Sequence, residues 1–134
     1  MGQGDCGQLG ITEEQPKAGF CHKKPVLVKL VKGQDVNPPI SKITRGDMHC
    51  MALLEGTPGK NGDIYTWEFG EKYALGHGGD KDKCLPCKLY AMKAVNHKCQ
   101  EINPSATPLN ADIQLIAGGG QHSGITIISS SSIV

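Results

Sequence analysis

The sequence predicts an all-β fold assembled from two copies of one unit. Three observations predict it. Glycine and proline number 18 and 8 among 134 residues, while aromatic residues make up only 4%. Both punctuate turns, so many short strands are favoured over long helices. No segment carries a convincing helical apolar period. Three landmarks occur twice in the same order, and such self-similarity is the mark of a repeat architecture.

The first landmark is a glycine-rich corner. Gly4-Asp5-Cys6-Gly7-Gln8-Leu9-Gly10 returns as Gly70-Glu71-Lys72-Tyr73-Ala74-Leu75-Gly76. Leu9 and Leu75 supply a buried anchor, and Gly10 and Gly76 a permissive backbone. The second landmark is a strand led by proline, Pro25-Val26-Leu27-Val28 and Pro86-Cys87-Lys88-Leu89. Proline opens a strand where a missing N–H costs least. The third is Ile43-Thr44-Arg45-Gly46-Asp47-Met48-His49, which returns as Ile116-Ala117-Gly118-Gly119-Gly120-Gln121-His122. It leads into short apolar strands, Cys50–Leu54 and Gly124–Ile128. Asn61-Gly62 is a strong turn signal, and Ile64-Tyr65-Thr66-Trp67 reads as the return strand of a hairpin with Cys50–Leu54. Glu13–Lys24, Gly33–Pro39 and Asn96–Asp112 read as loops. The units are predicted at 2–67 and 68–128, followed by a disordered serine-rich tail at 129–134.

Charge narrows the function. The net charge is +1, from 14 basic and 13 acidic side chains, which argues against nucleic-acid binding by bulk charge. Lys23, Lys24, Lys29, Lys32 and Arg45 form a modest basic group, read as a solvated face. No run approaches the roughly 18 apolar residues of a membrane helix. Six cysteines, Cys6, Cys21, Cys50, Cys84, Cys87 and Cys99, follow a polar start at Met1–Asp5 with no signal peptide. Free thiols in a reducing intracellular compartment are expected.

Several patterns hint at chemistry and are weak. Cys84 and Cys87 with His97 and Cys99 offer four metal ligands, but their spacing fits no common zinc pattern. A redox pair would want a helix N-terminus, and Pro86 lies in a strand instead. Gly56-Thr57-Pro58-Gly59-Lys60 is too short for a phosphate loop, lacks the hydroxyl and precedes a strand. It reads as a hairpin loop. His49 and His122 recur at one repeat position, which suits a ring hydrogen-bonded to a neighbouring backbone group. No catalytic residue, metal or cofactor is expected.

The corner Gly-Asp-x-Gly-Gln-Leu-Gly, the strand Gly-x-x-His-x-x-Ala-Leu, and Ile-Tyr-Thr-Trp with Leu-Gly-His-Gly together resemble the regulator-of-chromosome-condensation repeat. The resemblance covers residues 2–128 and is similar to the last two repeats of that family's nuclear exchange factor for the small GTPase Ran. It implies a partial β-propeller, about two four-stranded antiparallel blades of a seven-bladed ring. Closure would then need missing blades or a second chain, because two blades leave sheet edges and apolar faces bare. The repeat positions implied are Gly4, Leu9, Gly10, Gly46, His49, Trp67, Gly70, Leu75, Gly76, Gly119 and His122. Gln121 and His122 are implied at the GTPase-facing surface, with Ran and chromatin as partners and the nucleus as location. The chain opens inside a repeat corner, so a C-terminal fragment inactive in exchange is expected, with a non-catalytic interaction scaffold as the alternative. Glu68 departs from the pattern, because the residue after Trp is usually Gly there. If that backbone has positive φ, a side chain costs about 1–2 kcal/mol.

Overall fold

The computed structural model describes residues 1–4, 7–14, 16–56, 62–68, 75–77, 81–89, 91–92, 107–108, 112–120 and 122–128. Every regular element among them is a strand. They are β1 (Gly2–Gln3), β2 (Cys21–His22), β3 (Ile40–Arg45), β4 (His49–Leu54), β5 (Ile64–Glu68), β6 (Lys83–Lys88), β7 (Ala91–Met92), β8 (Thr107–Pro108), β9 (Asp112–Gly118) and β10 (Ser123–Ile128). One four-stranded antiparallel sheet runs β3-β4-β5-β6. Three two-stranded sheets pair β1 with β2, β7 with β8 and β9 with β10. The architecture is that of partial propeller blades: one complete four-stranded blade, and the β9–β10 hairpin of the next.

The expected hairpin is β4–β5, with Ala52 opposite Tyr65 and Leu53 opposite Ile64. Alternation sorts its residues onto two faces. Ala52, Leu54, Tyr65 and Trp67 form one core with Leu30. Met51, Leu53 and Ile64 form a second with Leu89 and Ile116, the last contributed by β9. The sheet is therefore apolar on both sides, as a blade between two neighbours must be.

The two copies share their pairing register. Ile43 faces Ala52 and Arg45 faces Cys50, while Ile116 faces Ile125 and Gly118 faces Ser123. The corners also match. Gly10 and Gly76 both have positive φ, 65° and 76°. A Cβ on Gly10 would lie 3.1 Å from Val28, and one on Gly76 would lie 3.3 Å from Leu89. Val28 and Leu89 are the matching last residues of the two Pro-led runs. Leu75 is buried, and Leu9 is half-buried beside Gly4 and Phe20.

Three elements differ from expectation. Asn96–Asp112 is expected as a loop, but Thr107–Pro108 within it forms β8 and pairs with β7, because a short run can pair wherever a neighbouring strand presents its backbone. Pro86–Leu89 belongs to β6 and its continuation, but Pro25–Val28 joins no sheet among the described residues; the paired residues near it are Cys21 and His22 of β2, inside the expected loop. A strand needs a neighbour, and among the described residues none lies beside Pro25–Val28. The serine tail, Gly70, the Thr57–Asn61 part of the β4–β5 connection and most of Asn96–Asp112 lie outside the described residues.

Glu68 has φ 90° at an irregularity in the β5–β6 ladder between Thr66 and Glu68. Gly2 occupies the same place in the first copy: it has φ 119° and pairs with His22, as Glu68 pairs with Lys83. Relief of the strain at Glu68 outweighs the extra chain entropy of glycine. Glu68→Gly is expected to stabilise the fold by about 0.5–1 kcal/mol, read as a higher midpoint in urea. Gly33 and Gly10 separate strain from crowding. Gly33 has φ 82° and open space around it, so Gly33→Ala is expected to cost only the roughly 1–2 kcal/mol of strain. At Gly10 an added Cβ also meets the Trp67 ring at 2.9 Å, so Gly10→Ala should cost about 1–3 kcal/mol more in the same titration.

Candidate functional site

The two histidine-led turns meet at the junction between blade and hairpin. Each turn is closed by the same backbone bond, Gly46 N–H to the His49 carbonyl and Gly119 N–H to the His122 carbonyl, both at 2.8 Å. The turns pack backbone to backbone. A Cβ on Gly46 would run into the Gly119 carbonyl, and one on Gly118 would lie 2.6 Å from the Arg45 carbonyl carbon. Glycine is needed here for close approach rather than for φ.

Side chains then stitch the junction. Gly118 N–H donates to Thr44 Oγ1 at 3.2 Å. His49 is 1% exposed, and its Nε2 shares a 2.8 Å hydrogen bond with Ser123 Oγ. The ring therefore bonds a side chain of the next copy, not a neighbouring backbone group as the sequence suggested. Burial first, and then the nearby His122, push the His49 pKa below its usual value. His122 itself is exposed, as are Asp47 and Met48 of the first turn, and the Asp47 carboxylate lies against Gly120 of the second. Gln121 lies outside the described residues.

A second polar knot holds the corner of the second copy. Thr66, 1% exposed, donates to the Leu75 carbonyl at 2.8 Å. It also meets His77 Nε2 at 2.7 Å. One hydroxyl carries one proton, so the ring nitrogen is the donor in that second bond. Burial pushes the His77 pKa down. Trp67 Nε1 is buried with no hydrogen-bond partner among the described residues, and Gly10 lies against it.

The cysteines do not make a reactive centre among the described residues. Burial, and then Glu68, push the Cys50 thiol up to about 11, where thiolate is scarce at neutral pH. Burial and Asp82 also raise Cys84. Cys21, Cys50, Cys84 and Cys87 are free thiols. Cys84 and Cys87 stand three apart on β6, a spacing that sends side chains to opposite faces. His97 and Cys99 lie outside the described residues. Lys23, Lys24, Lys29, Lys32 and Arg45 are exposed, and Lys29 pairs with Asp35 at 2.9 Å.

Ser123, Thr44, Thr66 and His77 were missed in the sequence. Thr44 lies inside a repeat landmark, Ser123 and His77 directly follow one and Thr66 sits in the return strand, but the partner of each is remote in sequence and carries no local signal. The arrangement joins two repeats and presents a turn surface around His122.

Removing the Thr66 hydroxyl leaves the Leu75 carbonyl unpaired in the interior. Thr66→Val is expected to destabilise by about 1–3 kcal/mol, measured by urea titration. A histidine whose folded pKa is depressed binds fewer protons folded than unfolded. The stability from His49 and His77 is thus complete above about 6.5 and is lost as pH falls through their folded values. Urea midpoints should fall from pH 8 to pH 5, and His49→Gln should flatten that slope.

Comparison with known proteins bears on this junction. The chain matches the Regulator of chromosome condensation (RCC1) repeat over residues 1–53 and 61–125. It is 37% identical to the "Regulator of chromosome condensation" of Xenopus laevis over 76 residues, 57% of this chain and 14% of that protein. It is 26% identical to the "E3 ubiquitin-protein ligase HERC2" of Homo sapiens and of Mus musculus over 94 residues, 70% of this chain and 2% of each relative. The chain thus spans a small part of the relatives it matches. The repeat match brackets both histidine-led turns, both glycine corners and the four-stranded sheet between them, and the chain belongs to the regulator of chromosome condensation repeat family.

Proposed function

We propose that this chain is a propeller-repeat segment of a guanine-nucleotide exchange factor for the small GTPase Ran, and that alone it does not catalyse exchange. The observation that carries this reading is the 37% identity to the Xenopus Regulator of chromosome condensation. An exchange factor of this kind binds the nucleotide-free GTPase more tightly than the loaded one. Linkage then requires that it weaken nucleotide binding by the same factor. No bond is broken, so the role asks for a binding surface and not for an acid, base or nucleophile. Gln121 and His122 are proposed on that surface. The exposure of His122 supports this, and so does its turn, held rigid by the Gly119–His122 backbone bond. A nuclear location and contact with chromatin belong to the same reading, as do sequence units at 2–67 and 68–128.

A second reading is supported by the matches to HERC2. The repeats then form a protein-interaction scaffold with no exchange role, since one fold hosts unrelated functions.

Two assays separate these readings. Immobilised chain is expected to retain nucleotide-free Ran above background, with retention lowered by His122→Ala; no retention favours the scaffold. Release of labelled GDP from Ran is expected to stay at its intrinsic rate when the isolated chain is added, and clear acceleration would refute the inactivity.

A further inference from the structure

The β9–β10 hairpin is thinly held. Among the described elements, β9 lies against β3 and β4, and β10 lies against β9 alone. Ile116 is fully buried on the blade, with Ile113 and Ile125 partly buried around it. Leu115, one residue along and so on the other face, is 44% exposed, and Ala117 is exposed with it. Two polar bonds complete the attachment. Gly118 N–H donates to Thr44 Oγ1 at 3.2 Å, and His49 Nε2 shares its 2.8 Å bond with Ser123 Oγ. A two-stranded hairpin is marginal alone in water, so this one keeps its ladder only while it is docked.

The His49 ring stands where a charge is least tolerable. It is wedged into the contact between the turns: a Cβ built on Gly46 would meet His49 Cε1 at 2.6 Å and Nδ1 at 2.9 Å, and the Gly119 carbonyl as well. The charged groups around the ring, among the described residues, offer it no counter-ion. On β3, Arg45 adds positive charge, and its Nε donates to the Gly46 carbonyl at 3.1 Å. On the first turn, Asp47 is exposed and lies towards Gly120. On β5, Glu68 stands opposite His49 in the ladder, but its carboxylate takes the Cys50 thiol at 3.8 Å, and its partner on β6 is Lys83. On the second turn, His122 opposes charge on His49, and burial acts in the same direction. A buried charge without a partner is relieved by reaching water. On the blade side that would tear β4 from both β3 and β5. On the hairpin side it needs only undocking.

We propose that His49 and Ser123 form an acid-released latch: when His49 takes up a proton, the β9–β10 hairpin leaves the blade while the four-stranded sheet stays folded. Release uncovers Met51, Leu53 and Ile64 together with Ile116, and it opens the His49 ring to water. This is more than a general loss of stability in acid, because one contact between repeats opens while the blade persists. The latch depends on the junction and not on GTPase binding, so failure in the Ran assays leaves it standing.

Amide exchange of the full chain at pH 7.5 and pH 5.5, corrected for the pH dependence of the intrinsic rate, tests the latch. One proton taken up on opening makes opening at most about tenfold more frequent per pH unit. Protection at Leu115, Ala117 and Gly124 is expected to fall by about threefold to tenfold between the two values. At pH 5.5 it should lie at least about tenfold below that of Ala52, Leu53 and Thr66 in the blade, with a much weaker dependence on added urea, the mark of a local opening. His49→Gln should abolish the fall. Hairpin and blade amides that share one protection and one urea dependence at pH 5.5 overturn the proposal, because the hairpin then opens only with the whole molecule. So does a fall that survives His49→Gln. Should that variant fail to fold, the ring signals of His49 in the parent decide by NMR titration. An imidazolium that appears only as the hairpin signals are lost supports the latch, and one that appears while the hairpin stays docked overturns it.

Discussion

Two glycine turns, one at Gly46 and one at Gly118–Gly119, approach so closely that no side chain fits between them. That contact fixes the distance and angle between the four-stranded blade and the β9–β10 hairpin. With the backbones in place, Thr44 reaches Gly118 and His49 reaches Ser123. The same geometry brings Ile116 down onto Met51, Leu53 and Ile64. A fully buried imidazole is costly unless it is bonded, so His49 ties correct folding of the first copy to the presence of the second. Repeat proteins draw stability from such nearest-neighbour interfaces, and here the interface is polar near the turns and apolar along the strands.

The two cores have different characters for the same reason. The core around Met51 and Ile116 lies between two folded elements. The core around Trp67 and Leu30 lies between a blade and the 28–31 segment, which makes no sheet. Trp67 shows the consequence. Its ring is buried against Gly10, yet its N–H has no partner among the described residues. Glu68 adds backbone strain one residue on.

Much of the fold was legible in the residues. The β4–β5 hairpin was visible from two short apolar runs joined through Asn61-Gly62. The corners were visible from Leu-Gly pairs, and the strain at Glu68 from the family resemblance, which implies glycine after the tryptophan. What could not be read was the fate of Pro25–Val28. Its sequence is as strand-like as that of Pro86–Leu89, but a strand is a relation between two segments. Nor could the His49–Ser123 bond be read, because its partners are remote in sequence and the matching position in the first copy is Cys50.

By itself, then, the sequence determined what is local: turns, alternation, the two-fold recurrence of landmarks and hence the family. These depend on backbone sterics and on periodicity, which act over a few residues. Tertiary structure alone decided what is relational. It settled which copy of a repeated isoleucine is covered, which histidine is buried and depressed in pKa, and which Pro-led run is paired. Equivalent residues became inequivalent because cover comes from neighbours, and the two copies have different neighbours.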